Sequence, residues 1–165
     1  MLVALAPFSR AQLVMFEAHL TGASENPPNM SLASGWGMAT LDLATDWFVF
    51  NDTWSGLSAP ATATHIHAAA PIGSNAPVFI PFTLANGFVA GTTSGSVSYS
   101  GTLSSTAASQ LLDGLFYVNV HSTLFPGGEI RGQLLPVPEP STYALCGVAA
   151  LGLLVLRRRF RSSRA

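Results

Sequence analysis

Lysine is absent from this 165-residue sequence, and six of its seven cationic side chains lie outside residues 12–136. Within that body seven acids (Glu17, Glu25, Asp42, Asp46, Asp52, Asp113 and Glu129) face Arg131 alone, so it is near −6. The segment beyond Pro140 is near +5, an asymmetry that the formal net charge of −1 conceals. Neutralising phosphates takes clustered Lys or Arg, so nucleic acid is excluded as a partner of the body. Cysteine is nearly absent too: Cys146 stands alone, so no intramolecular disulfide can form. Stability must therefore come from a hydrophobic core or a metal. The length suits one domain with appendages. No internal repeat is found, and no Gly-x-Ser-x-Gly elbow marks a serine hydrolase.

Long apolar runs are scarce, and the one from Tyr143 to Leu156 covers 14 residues. As a helix it extends about 21 Å, short of the roughly 30 Å hydrocarbon core. Ser141 and Thr142 lengthen it slightly, and arginines behind it can snorkel. A buried core helix of this length is the alternative. Four arginines at its end (Arg157, Arg158, Arg159 and Arg161) favour a membrane stop, because they obey the positive-inside rule. A transmembrane helix is therefore expected over residues 142–156.

The order Val137-Pro138-Glu139-Pro140, apolar helix, arginine cluster resembles the PEP-CTERM sorting signal over residues 137–165. The resemblance implies a Gram-negative exported protein, held transiently in the inner membrane and cleaved near Pro-Glu-Pro by an exosortase. It also implies association with exopolysaccharide. Two prolines resist helix formation and keep that segment extended. At the other end, residues 1–11 are apolar and close on Ser9-Arg10-Ala11, a small-x-small pattern. They read as the remnant of a signal peptide whose true start lies upstream, with the mature chain beginning near Gln12. An ordinary first strand is the competing reading.

The body, residues 12–136, alternates with a period of two. "GMATLDL", "WFVFNDTW", "ATHIHA", "VFIPFTL", "GSVSYSGTL", "LFYVNVHS" and "EIRGQLL" each read as a strand bounded by Gly, Pro, Asn or Ser. Ser104 to Leu112 reads as one short helix, with a serine cap and Gly114 as its stop. About eight strands predict an all-β, antiparallel, immunoglobulin-like β-sandwich. The Ser/Thr-rich stretch from Gly91 to Ser109 reads as a solvated edge strand and loop.

In "FYVNVH", Phe116, Val118 and Val120 share one face while Tyr117, Asn119 and His121 share the other. The glycine-rich connection predicts a hairpin with "EIRGQL" in the register His121–Glu129, Val120–Ile130, Asn119–Arg131 and Tyr117–Gln133. Asn119, Glu129 and Arg131 are its structural polar residues, and Glu129 with Arg131 reads as a surface charge network. His65 and His67 flank Ile66 and should project from one face, about 6–7 Å apart at the backbone. With His121, and more weakly Glu129, they are candidate ligands for zinc or copper. The competing reading is structural, in which the rings hydrogen-bond to loop carbonyls and no cofactor is held. Whether these strands are neighbours is left open.

"LTGASENPP", "SGWGMATLDL", "ATHIHAAAPIGSNAPV" and "LFYVNVHSTLFPGGEIRGQL", in that order, resemble the CHRD domain, named after chordin. The resemblance runs from about Phe16 to Leu135 and implies an extracellular sandwich-like domain without assigning a reaction. A superoxide dismutase also carries His-x-His on a sandwich, but its paired metal sites need more than the four histidines here. The expectation is an exported, noncatalytic surface or matrix protein whose partners are exosortase, the inner membrane, exopolysaccharide and surface proteins. The alternative is a metal-binding extracellular domain, with or without metal-dependent activity.

Overall fold

The structure, a computed structural model, describes residues 12–138. Nine strands make up the fold: β1 (Leu13–Thr21), β2 (Ser34–Asp42), β3 (Trp47–Ser55), β4 (Ala61–His67), β5 (Val78–Pro81), β6 (Gly95–Thr102), β7 (Tyr117–Ser122), β8 (Ile130–Gln133) and β9 (Leu135–Pro136). They form one sheet in the order β5-β4-β7-β8-β1-β2-β3-β6, with β9 also on β1. Every pairing is antiparallel.

Alternation explains why this sheet curls. Phe16, Ala18 and Leu20 of β1, Phe48 and Phe50 of β3, Ile66 of β4, and Val118 and Val120 of β7 all belong to one apolar cluster. A sheet with one apolar face must cover it, and here the two ends of the sheet fold toward each other to do so. Phe50 stacks on Phe82, just beyond β5, with ring centroids 5.7 Å apart. Backbone bonds from Ala61 N to Thr92 O (2.7 Å) and from Gly91 N to Ala61 O (2.9 Å) join β4 to the segment before β6. The expected two-sheet sandwich is thus realised as one continuous sheet packed sandwich-like around its own core. The reason is local: Thr21 pairs with Arg131, so β8 hydrogen-bonds to both β7 and β1 and no break separates two sheets.

All seven segments read as strands fall on β2 to β8. The strand left out, β1, is a central one and pairs with β2 along its whole length. Its inner positions are apolar, but so are Leu13 and Met15 on the outside, exposed at 52% and 46%. Apolar residues on both faces blur the alternation over Leu13 to Phe16, leaving only Phe16 to Thr21 with a strict period of two. The helix α1 (Ser105–Leu112) is as expected: the Ser104 side chain accepts from Ala107 N–H, and Ala107, Ala108 and Leu111 are buried. Gly114 ends it at φ 70°, a left-handed position that glycine takes without steric cost. β6 is the sheet's edge, as its Ser/Thr content predicted.

Val137 and Pro138 close the described segment, with Val137 N–H donating to Met15 O at 2.8 Å. Residues 1–11, Glu139, Pro140, the helix expected over 142–156 and the arginines at 157, 158, 159 and 161 lie outside the described residues. Among the described residues no helix is long and apolar enough to cross a membrane.

Candidate functional site

The hairpin of β7 and β8 has the expected register, pairing Tyr117 with Gln133, Asn119 with Arg131 and Val120 with Ile130. On its other side β7 pairs with β4, which sets His65 opposite Asn119, His67 opposite Tyr117 and Ala63 opposite His121. Ile66 enters the core. His65 and His67 therefore share the face of Tyr117, Asn119 and His121, and the three histidines converge. One ring nitrogen from each lies within 4.8 Å of the others.

Two of these rings are anchored through Nδ1. His67 Nδ1 lies 2.8 Å from Ala76 O, and His121 Nδ1 lies 2.9 Å from Pro126 O. A carbonyl only accepts, so each Nδ1 carries the proton. A neutral ring then keeps its lone pair on Nε2. Both Nε2 atoms face Asn119 Oδ1 at 3.1 Å, and His65 Nδ1 lies 3.2 Å from His121 Nε2. Burial, then repulsion from His121 and His67, pushes His65 down to about 4. His121 is lowered as well, chiefly by burial, with the Pro126 carbonyl opposing and His67 assisting. At neutral pH His65 and His121 are uncharged.

The anchors rest on a second set of contacts. His67 stacks on Tyr117 with centroids 4.7 Å apart and planes at 1°, and the Arg131 guanidinium sits 3.4 Å from the centre of the same tyrosine ring. Arg131 donates to Asn75 Oδ1 (3.0 Å) and Ser74 O (2.6 Å), while Tyr117 Oη accepts from Ala76 N–H (3.1 Å). The loop 71–77 is thereby fixed, and with it the carbonyl that orients His67.

Glu129 and Arg131 correct the expected surface charge network. Both are buried, at 0% and 2% exposure. β8 begins at Ile130, so Glu129 stands beyond the ladder and turns away from His121. Its Oε1 accepts from Ser31 Oγ (2.7 Å) and Ser58 N–H (2.6 Å). Burial alone would raise this carboxyl; hydrogen bonds from Ser122, Ser58 and Ser31 outweigh it and bring it below the usual carboxylate range. Glu129 is not part of the histidine group. His19 is elsewhere too, edge-on to Trp36 at 4.0 Å.

Glu25 was not singled out in the sequence, although it sits in the distinctive "SENPP" stretch. It is buried, and burial raises it to about 7 against the opposing effects of Arg131, the Asn26 amide and the Asn119 side chain. A Cβ at residue 128 would collide with its carboxylate, and Gly128 has φ 132°, so glycine is required there twice over. Asn119 thus serves two environments, its Oδ1 facing the histidines and its side chain lowering Glu25.

This geometry defines an all-β domain whose β7–β8 hairpin is buried on both faces, with a His-x-His strand beside it. Among known families, the CHRD domain matches residues 16–134, and the chain belongs to that family. The PEP-CTERM protein-sorting motif matches residues 136–159, directly behind the domain. That motif implies recognition by exosortase and export toward the cell surface. No curated protein and no solved structure matches the chain.

Proposed function

We propose that this chain is a noncatalytic surface or matrix protein of a Gram-negative bacterium, held transiently in the inner membrane. Exosortase cuts it near Val137-Pro138-Glu139-Pro140 and releases the folded body to the extracellular polymer layer. There it associates with exopolysaccharide or with other surface proteins. The observation that carries this reading is positional: the sorting motif begins at residue 136, where β9 ends. A cut there leaves every strand among the described residues intact. The acidic, lysine-free body agrees with it, since such a surface is not drawn to anionic lipid or nucleic acid.

Fractionation of the native cells with intact-mass measurement tests the proposal. The expected product is a species ending near residues 137–140, outside the cytoplasm. A chain that keeps its C-terminus and stays in the cytosol overturns it.

A further inference from the structure

We propose that His65 Nδ1, His67 Nε2, His121 Nε2 and Asn119 Oδ1 form a mononuclear N3O site for a divalent transition-metal ion of the zinc(II) or copper(II) kind. This goes beyond the sorting role and does not depend on it. The starting point is a conflict in the hydrogen bonding. With Nδ1 of His67 and of His121 committed to backbone carbonyls, each Nε2 presents a lone pair, and both point at an amide oxygen, itself an acceptor. Electron-rich atoms facing one another gain nothing from each other. A cation among them satisfies all of them at once.

The spacing fits. A tetrahedral ion with bonds of about 2.0–2.1 Å separates its donors by about 3.3 Å. Three of the six separations in this group are 3.2, 3.1 and 3.1 Å. One ring nitrogen of each histidine lies within 4.8 Å of the others, a gap of the size that side-chain rotation spans. The outer contacts fit as well. A ligating histidine ordinarily donates its other N–H to a carbonyl or carboxylate, and His67 and His121 do so. Imidazole donors without a carboxylate select zinc or copper over magnesium or calcium. His65 and His121 remain half-exposed, which leaves a way in for the ion.

The competing account is a dry network: the Asn119 amide reverses to donate to both rings, and His65 donates to His121. Metal titration separates the two. The full chain, without a polyhistidine tag, is purified in detergent, stripped with EDTA and titrated with zinc(II) or copper(II) against a chromophoric chelator. The expected result is one equivalent bound, weakened at least about tenfold by His65→Ala and again by Asn119→Ala, and untouched by His19→Ala. Magnesium and calcium should not compete. His65 makes its one side-chain hydrogen bond to His121, so His65→Ala should fold, which a melt in EDTA verifies. On the unmodified chain, copper(II) electron paramagnetic resonance should show coupling to several imidazole nitrogens. Binding of either ion with these properties supports the site. No stoichiometric binding, equal binding by His65→Ala, or a copper spectrum without nitrogen coupling overturns it.

Discussion

Asp52 is the least comfortable residue in the core, and replacing it with asparagine should stabilise the protein above neutral pH. It lies on the inner face of β3 between Phe50 and Trp54, 1% exposed, and neither carboxylate oxygen has a hydrogen-bond partner. Burial raises its pKa to about 7, with only the Thr53 amide opposing. An unfolded aspartate ionises near 3.9. Between those two values the native state holds a proton that the unfolded chain has lost, so stability falls as pH rises through the window. Each unit costs about 1.4 kcal/mol, which over the window gives an upper bound of roughly 4 kcal/mol. Asp52→Asn keeps the shape and removes the titration. Urea unfolding followed by tryptophan fluorescence should show the variant about 2–4 kcal/mol more stable than the wild type at pH 8, and within about 1 kcal/mol of it at pH 4.5. Glu25 titrates in the same direction, so the difference between the two proteins, rather than the wild-type slope, isolates Asp52. Equal stability differences at pH 4.5 and pH 8 would refute the reasoning.

Glu129→Gln should act at the opposite end of the pH scale. The native carboxyl is depressed, so its contribution is complete above the ordinary carboxylate range and is lost as pH falls through the native pKa; the variant should lose about 1–3 kcal/mol at pH 7 and converge on the wild type as acid protonates the native carboxyl, read by urea unfolding. Gly128→Ala places a methyl against the Glu25 carboxylate at a positive φ and should cost about 2 kcal/mol or more, read as a lower melting temperature. Ile66→Ala should cost about 2–5 kcal/mol, because Ile66 is fully buried on the core face of β4. Arg131→Lys keeps the charge but gives up the planar stack on Tyr117; increased proteolysis of the loop 71–77 is the expected readout.

Three of the hairpin's four expected pairs were legible because both of its faces argue for the same register; the fourth, His121–Glu129, falls beyond the ladder. A slip of one would set Val120 or Ile130 among polar groups, and alternation forbids it. The histidine pair was legible for the same reason, since flanking Ile66 fixes the direction of both rings. Their meeting with His121 was not legible, because β4 and β7 are about fifty residues apart and only the sheet order joins them. Burial of Arg131 and Glu129 was missed for a related reason. The pattern says that they leave the core face, and a polar outer face ordinarily meets water. Here it meets the segments around Asn29 and Asn75: Asn29 Nδ2 donates to Gly128 O and Glu129 O, and Asn75 bridges to Asn26 O and Arg131. Strand periodicity carries no information about which loop returns over which face.

That loop cover also changes how the two readings of the histidines relate. The loops beside these strands bring backbone carbonyls within reach of the rings, one part-buried and one open to water. His67 and His121 satisfy two of them, at Ala76 and Pro126, which is the structural role anticipated for such residues. Imidazole has two nitrogens, however, and this role uses only Nδ1. Anchoring one nitrogen to a carbonyl fixes the tautomer and aims the other, so the structural bond prepares each ring to act as a ligand. The two roles therefore differ only in what Nε2 faces. Substituting either histidine would remove both roles together, whereas Asn119→Ala alters the Nε2 side and leaves both carbonyl anchors intact. If metal affinity falls in that variant while the melting temperature in EDTA holds, the second nitrogen has a role of its own. If the unmodified chain binds no metal, the anchoring bonds are the whole reason the histidines are there.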